Sequence, residues 1–339
     1  MLEFKPWSKK VLNEALKKYN INHTLSILDI ELGGACNFKC VYCDTPKYTQ
    51  EIQYSIDQIE QLMSESNIEW LFVCGLGEPT VGGNRKNLIQ ILELCRKYSI
   101  GCSMFSNIEE FDDELFSYVK ADILYPLFKL DSFSVEKIVE IYGISKALAE
   151  NQISNILKMV DCVHLHDGMT NICASIVPSS YNQDELISLV DWCYEHSIFP
   201  LIGDLEDAGK GKGEYRNLKV SDVNLQFLRN HINEKYGYDY EIPICPSVLF
   251  GLHIGYDGSI MVDEISGLSC HWFWLTEPKV KNLIKLGSQS FAELSSIVIN
   301  NRMRLKESLI PLLKGYKPLI FGGCGGDIVD LLNFYLTRM

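Results

Sequence analysis

The sequence has no long apolar segment and few basic residues. No hydrophobic run in its 339 residues approaches the roughly 20 that a bilayer-spanning helix needs. The N-terminus lacks a basic stretch followed by an apolar one, which excludes a secretory signal. Lysine and arginine number 31 against 44 acidic residues, for a net charge of −13. Phosphate binding needs a basic face, so nucleic acid is excluded as a main partner. We expect a cytoplasmic protein with no membrane partner.

The 12 cysteines are more typical of metal ligands and free thiols than of disulfides in such a compartment. Three of them, Cys36, Cys40 and Cys43, follow the apolar run 25–32 and a Gly-Gly pair. Three thiolates on one short loop can hold three irons of a four-iron cluster. The missing fourth ligand leaves one iron open, as catalytic metal sites do. Half of a zinc site and a group of core cysteines are the alternatives.

Strand and helix patterns alternate after the cysteine loop, which predicts parallel βαβ units. Strands are predicted at 25–32, 70–74, 100–106, 123–130, 172–177 and 199–205. Helices are predicted at 8–20 (with Ser8 as a cap), 55–66, 85–98, 112–119, 134–159, 182–196 and 222–236. Six such units would form an α/β fold, a partial (β/α)6 TIM-type barrel. Chemistry in such barrels lies in loops at the C-terminal ends of the strands, where the cysteine loop falls.

The second predicted strand ends in a glycine-rich turn, Gly75-Leu76-Gly77-Glu78-Pro79. Glycine allows the backbone and an acid to approach a ligand ammonium closely, although such a turn is also common in structural roles. Together with the three cysteines and the aromatic Tyr42, this turn resembles the motifs of the radical S-adenosylmethionine (SAM) superfamily. Leu76 stands where that family has a second glycine in Gly-Gly-Glu-Pro.

The resemblance implies a 4Fe–4S cluster on Cys36, Cys40 and Cys43 whose open iron binds SAM. It places Tyr42 near the adenine, and it assigns Gly75, Gly77, Glu78 and Pro79 to the amino group of SAM. Later strand ends would complete the SAM site through Ser106, Asn107 and Asp131, although Asp131 and the serine after it also fit a helix cap. Beyond the sixth strand, Asp204 or Glu206 would face the substrate, and a solvated acidic turn is the alternative.

The composition changes after residue 213. We expect an N-terminal helical segment at 1–23, the barrel at 24–213, a bridge at 214–240 and a small α+β extension at 241–339. In the extension, cysteines recur around a predicted hairpin whose turn is Asp257-Gly258. This arrangement resembles the auxiliary-cluster extension of radical SAM enzymes, of the twitch or SPASM type.

The match is partial, because Asp263 stands where that family has a second cysteine. Too few cysteines remain for two auxiliary clusters, so the resemblance implies at most one auxiliary iron–sulfur cluster. Its ligands would be Cys245, Cys270 and Cys324, completed by Asp263 or an external group. His271 could replace Cys270, and an extension that binds no metal is the alternative. The remaining cysteines fit core positions, except that Cys74 lies near the barrel mouth.

The resemblance implies reductive cleavage of SAM with an electron from a flavodoxin- or ferredoxin-type donor. The 5′-deoxyadenosyl radical would take hydrogen from a small-molecule natural-product intermediate, such as an amino sugar or nucleoside, leading to oxidation or epimerisation. Cys270 could return a hydrogen atom to the substrate radical only if its thiol does not bind the auxiliary cluster. The competing hypotheses are modification of a ribosomal peptide and a non-catalytic iron–sulfur or zinc scaffold. About 24 residues precede the first strand, too few for a leader-binding domain, so a peptide substrate would need a separate leader-binding partner.

Overall fold

The fold is known from a computed structural model that describes residues 2–8, 10, 11, 14, 25–43, 51–203, 205, 215–237, 251–262 and 282–285. The strands are β1 (Glu3–Phe4), β2 (Ile27–Ile30), β3 (Trp70–Val73), β4 (Gly101–Ser106), β5 (Leu124–Lys129), β6 (Leu165–His166), β7 (Met169–Thr170), β8 (Cys173–Ile176), β9 (Phe199–Ile202), β10 (Gly251–Ile254), β11 (Ser259–Val262) and β12 (Asn282–Lys285). The helices are α1 (Ile56–Glu65), α2 (Gly82–Tyr98), α3 (Asp113–Lys120), α4 (Val135–Tyr142), α5 (Lys146–Val160), α6 (Leu186–Glu195), α7 (Tyr215–Leu218) and α8 (Asp222–Tyr236). None of the helices in these ranges is long and apolar enough to cross a membrane.

Six strands lie side by side in chain order, β2-β3-β4-β5-β8-β9, and each pairs with the next in parallel. At least one helix connects each strand to the next, because a parallel neighbour needs a long crossover. This is the strand and helix order predicted for the partial (β/α)6 barrel. The carboxyl ends of all six strands therefore meet at one edge.

The sheet has two distinct faces, because successive side chains of a strand point to opposite sides. One face is apolar and packs on the helices. The other, which we call the inner face, carries Asp29, Phe72, Ser103 and Tyr125 in one register row. Trp7 of the N-terminal segment stacks on Phe72 with 6.4 Å between ring centroids. The inner face is therefore filled by aromatic rings at this level and polar closer to the carboxyl ends.

The predicted single helix over 134–159 is wrong, since the chain forms two helices there. Gly143 ends α4 in the left-handed region at φ 60°, and Ser145 then caps α5 by accepting a hydrogen bond from the Leu148 amide. Glycine adopts this conformation without the steric cost that a Cβ brings. The break leaves the last carbonyls of α4 available to the cysteine loop.

The predicted hairpin is present, because β10 and β11 pair antiparallel around Asp257-Gly258. The amide of Gly258 donates to the Gly255 carbonyl at 2.9 Å, and Gly258 takes a φ of 74°. Strand β10 also pairs in parallel with β2, which the sequence does not predict. The hairpin and β12 thus extend the barrel sheet beyond its first strand.

The predicted N-terminal helix lies mostly outside the described residues. Its first turn is visible, because Lys10 and Val11 are helical and the hydroxyl of Ser8 accepts a hydrogen bond from the Val11 amide at 3.3 Å. The predicted core cysteines are buried in the barrel. They are Cys95, Cys102, Cys162, Cys173 and Cys193.

Candidate active site

The cysteine loop is anchored on the end of helix α4. The amide of Lys39 donates to the Tyr142 carbonyl at 2.8 Å, and the amide of Val41 donates to the Ile141 carbonyl at 2.9 Å. The last four carbonyls of a helix have no partner within it, so they are ready acceptors. This docking fixes the backbone between the first and third cysteines of the loop.

The glycine-rich turn after β3 packs directly against the cysteine loop. The amide of Glu78 donates to the Ala35 carbonyl at 2.7 Å, and the side-chain amide of Asn84 donates to the Gly33 and Ala35 carbonyls at 3.3 Å each. At Gly77, with φ 73°, an added Cβ would lie 2.4 Å from the Gly33 oxygen and 2.5 Å from the Ala35 oxygen. Only glycine permits this approach. The two motifs singled out in the sequence therefore form one unit.

The carboxylate of Glu78 is buried beneath this unit and accepts four hydrogen bonds. Its Oε1 accepts from the hydroxyls of Ser106 at 2.6 Å and Thr80 at 2.9 Å, and from the Thr80 amide at 3.2 Å. Its Oε2 accepts from the Asn107 amide at 2.7 Å. Burial raises the pKa of Glu78, and these donors oppose the rise. The end of β4 is thereby tied to the turn after β3.

Asp131, at the end of β5, is the centre of a second buried network. Its Oδ2 accepts hydrogen bonds from the hydroxyls of Tyr42 and Tyr142, the latter at 2.9 Å. Its Oδ1 accepts from the Val177 amide at 2.7 Å, beyond the end of β8. Burial raises the pKa of Asp131 despite these donors. The ammonium of Lys129 lies 5.1 Å from the centre of the Tyr42 ring, so Tyr42 links the cysteine loop to β5.

An amide network closes the gap between the cysteine loop and β4. The side chain of Asn107 donates to that of Asn37 at 2.7 Å, and Asn37 donates to Oε2 of Glu109 at 2.9 Å. Asn151 of α5 donates to Oε1 of Glu109 at 2.9 Å. Loops after β2, β3, β4 and β5 are therefore joined to one another by buried and half-buried hydrogen bonds at the carboxyl edge of the sheet.

The three thiols of the loop suit an iron–sulfur cluster better than a single zinc ion. Cys36 is exposed, Cys43 is half-buried and Cys40 is buried. Zinc binds thiolate at about 2.3 Å, so sulfurs that share one zinc lie within about 4 Å of one another. Among the described residues, Asp29, Cys74 and His253 are the one group of three whose ligand atoms all lie within 4.8 Å of one another. The three loop cysteines do not form such a group, so their sulfurs are too far apart to share one zinc ion. Burial raises the pKa of Cys40 to about 12, and the nearby Cys43 and Cys36 add to the rise, so bound metal must displace its proton.

The predicted SAM-site residues that the structure describes all follow or end the strands β2, β3, β4 and β5 at their carboxyl ends: Cys36, Cys40, Tyr42, Cys43, Gly75, Gly77, Glu78, Pro79, Ser106, Asn107 and Asp131. Six predicted residues lie outside the described part of the chain: Asp204, Glu206, Cys245, Asp263, Cys270 and Cys324. His271, the alternative ligand, lies outside it as well.

Several solved structures share this fold. Streptococcus suis SuiB bound to S-adenosylmethionine is 16% identical with a TM-score of 0.59, over 93% of this chain and 80% of that one. SuiB bound to the precursor peptide SuiA is 15% identical with a TM-score of 0.60, over 84% and 68%. The native anSMEcpe with bound AdoMet is 16% identical with a TM-score of 0.57, over 82% of each chain. No protein-family model matches the chain, and no curated protein matches it. The chain therefore shares the fold of these proteins, and two of the structures were solved with S-adenosylmethionine or AdoMet bound.

Sequence reasoning missed the residues that hold the motifs in place. Asn84, Tyr142 and Asn182 each bind backbone or carboxylate groups of the site. No local pattern distinguishes such residues from ordinary surface asparagines and core tyrosines. Sequence reasoning also missed a polar cluster on the inner face. The available signal was that two acids, Asp29 and Glu31, alternate with apolar residues in the first predicted strand.

Proposed function

We propose that the chain is a radical SAM enzyme that binds its cluster on Cys36, Cys40 and Cys43. The observation that supports this proposal is the joining of the cysteine loop to the glycine-rich turn by the Glu78 and Asn84 hydrogen bonds. A scaffold protein would not need an acid-bearing turn held against an incomplete set of three thiols. The rest of the carboxyl edge then forms the SAM pocket.

When bound, the cluster and SAM would supply a one-electron cleavage that yields the 5′-deoxyadenosyl radical, with the electron from a flavodoxin- or ferredoxin-type donor. The residues of this chain bind and orient SAM. A carboxylate has about four acceptor sites, and Oε2 of Glu78 accepts one hydrogen bond here, so it retains capacity for the SAM ammonium. Tyr42, held by Asp131, supplies a ring for the adenine. Ser106 and Asn107 act by fixing Glu78.

For the substrate, we propose a small polar molecule, such as an amino-sugar or nucleoside intermediate, that is oxidised or epimerised. The buried carboxylates Asp29 and Glu31 give the inner face a negative charge that suits a polar or cationic group. A peptide is the second candidate, favoured by the fold neighbour that was solved with the precursor peptide SuiA.

Residues outside the described part of the chain complete the proposal. Asp204 or Glu206, after the sixth barrel strand, would contact the substrate. Cys245, Cys270 and Cys324, with Asp263, would hold one auxiliary cluster, and Cys270 would return a hydrogen only where it is not a ligand.

The first test is SAM cleavage by anaerobically reconstituted protein with dithionite. The native chain should form 5′-deoxyadenosine, and a chain with Cys36, Cys40 and Cys43 all changed to alanine should not. A Cys193→Ala variant, which alters a buried thiol far from the loop in sequence, is the matched control and should cleave SAM as the native chain does. Equal cleavage by the native and triple-variant proteins would overturn the proposal.

The second test addresses the substrate class. Correct substrates accelerate SAM cleavage when they complete the site, so extracts of the source cells can be separated into small-molecule and peptide fractions. Faster 5′-deoxyadenosine formation with the small-molecule fraction alone supports the first candidate. Acceleration by the peptide fraction alone would replace it with the second.

A further inference from the structure

A polar cluster of four residues, which we call the inner cluster, lies beside the proposed SAM site. It consists of Asp29, Glu31, Cys74 and His253. Asp29 and His253 face each other across the parallel pair β2 and β10, and Cys74 follows the end of β3. Asp29, Glu31 and His253 are buried, and Cys74 is half-buried. Buried acids and a buried histidine in an apolar strand pair need a specific partner, because burial of charge is costly.

The side chains of this cluster converge on Asp29. The Cys74 thiol donates to Oδ1 of Asp29 at 2.8 Å, and Nδ1 of His253 lies 3.0 Å from Oδ2. One ligand atom each from Asp29, Cys74 and His253 lies within 4.8 Å of the other two. Carboxylate, thiolate and imidazole groups gathered this closely are a zinc ligand set, and a zinc ion would replace the protons that they now share and move the ligand atoms slightly apart.

The second observation concerns the other nitrogen of the histidine. Nε2 of His253 lies 3.4 Å from Oε1 of Glu31. A metal-bound histidine almost always gives its other N–H to a carboxylate, which fixes its tautomer and ring orientation. Glu31 is itself held, because the Tyr256 amide donates to its Oε2 at 3.0 Å. The cluster thus contains three candidate ligands and the carboxylate that would support one of them.

We propose that Asp29, Cys74 and His253 form a mononuclear zinc-type site with an open fourth position. Catalytic zinc sites have three protein ligands and one exchangeable position, whereas structural sites are closed by four. The half-buried Cys74 directs that position toward the inner face. The ligand it would take is a hydroxyl, carboxylate or amine of the substrate, and this anchoring role rests on the proposed function.

The proposed zinc-type site lies next to the SAM-binding turn, where it could hold the substrate beside SAM. Cys74 is joined directly to Gly75, where an added Cβ would lie 2.5 Å from Oε1 of Glu31. The zinc-type site and the SAM-binding turn therefore share one stretch of backbone. A cation there would orient the substrate against SAM by a contact that needs no proton transfer. It would also offset two of the three negative charges of Asp29, Glu31 and the Cys74 thiolate, so that the inner face stays negative.

The test measures zinc retention by the full chain with Cys36, Cys40, Cys43, Cys245, Cys270 and Cys324 changed to alanine, so that neither proposed cluster site binds metal. The protein is loaded with zinc, dialysed against a moderate chelator, and analysed by mass spectrometry of the metal. Adding Cys74→Ala or Asp29→Asn should lower the retained zinc by about one per chain. Cys173→Ala, another buried cysteine of the barrel, is the matched control and should leave it unchanged.

Cobalt gives a second measurement in the same proteins. A cobalt thiolate absorbs in the near ultraviolet, and this absorption should be present in the background chain and lost with Cys74→Ala, while circular dichroism shows that the fold is retained. Equal zinc in all variants, or no retained zinc in the background chain, would overturn the proposal and leave the cluster as an internal ion-pair network. Zinc retention uses no SAM chemistry, so its outcome is independent of whether the native chain cleaves SAM.

Discussion

Replacing Gly77 with alanine tests how closely the glycine-rich turn must approach the cysteine loop. The new Cβ would lie 2.4 Å from the Gly33 oxygen and 2.5 Å from the Ala35 oxygen, and both are backbone atoms that cannot rotate away. The left-handed conformation alone costs a non-glycine residue about 1 kcal/mol. Displacing the two carbonyls also weakens three hydrogen bonds, two from Asn84 and one from the Glu78 amide. At about 1 kcal/mol each, these add about 3 kcal/mol.

Gly82→Ala is the matched control. Gly82 also has a positive φ, 53°, but an added Cβ there meets nothing within 4 Å. The control should therefore lose about 1 kcal/mol of unfolding free energy, whereas Gly77→Ala should lose about 4 kcal/mol. Urea unfolding measures both values.

The same variant should weaken SAM binding with little loss of iron. SAM binding to this variant would have to restore the native geometry of the glycine-rich turn at a cost of about 3 kcal/mol, which lowers the affinity for SAM about a hundredfold. Calorimetric titration of the anaerobically reconstituted proteins measures this change. If Gly77→Ala binds SAM as tightly as Gly82→Ala, the close approach of the two loops is not what builds the SAM pocket.

Three further predictions follow from single contacts. Ser106→Ala should cost about 2 kcal/mol of unfolding free energy, because it removes a hydrogen-bond donor to the buried Glu78 carboxylate. Ser103→Ala on the same strand is the control and should cost about 1 kcal/mol, because it loses a hydrogen bond to a neutral carbonyl. Urea unfolding measures both values. Gly143→Ala, at φ 60° and 3.1 Å from the cysteine-loop backbone, should lower the iron content after reconstitution, and unchanged iron would contradict the docking role of α4. Burial lowers the pKa of His253, but the adjacent carboxylates outweigh it and raise the pKa to about 10. Stability of zinc-free protein should therefore fall as pH rises from about 6.5 toward about 10, and His253→Gln should remove that dependence.

The order of the strands and helices could be predicted because each unit carries its own periodicity and caps. Helix α8 begins and ends where its pattern indicates, with Ser221 as its cap. The break at Gly143 was missed because the apolar periodicity continues through it, although Gly143 and Ser145 are residue types typical of a helix end and a helix start. The cysteine loop uses the carbonyls that this break leaves at the end of α4.

The candidate site was predictable to the extent that its residues lie in contiguous motifs. Cys36 and Glu78 could be related in advance because strand ends of a parallel sheet meet at one edge. The inner cluster could not, because Asp29 and His253 are more than two hundred residues apart in sequence and meet only through the pairing of β10 with β2. That pairing depends on the extension folding back onto the first barrel strand, which no short-range signal reports.

The most direct test of the account is a Mössbauer spectrum of the chain reconstituted with iron-57, recorded with and without SAM. Changing Cys245, Cys270 and Cys324 to alanine first leaves the loop as the predicted iron site, which should hold about four irons. We expect SAM to change the signal of one iron of the four and to leave the other three as they were, because three cysteines leave one iron open. Four irons that do not respond to SAM, or zinc in place of iron, would contradict it.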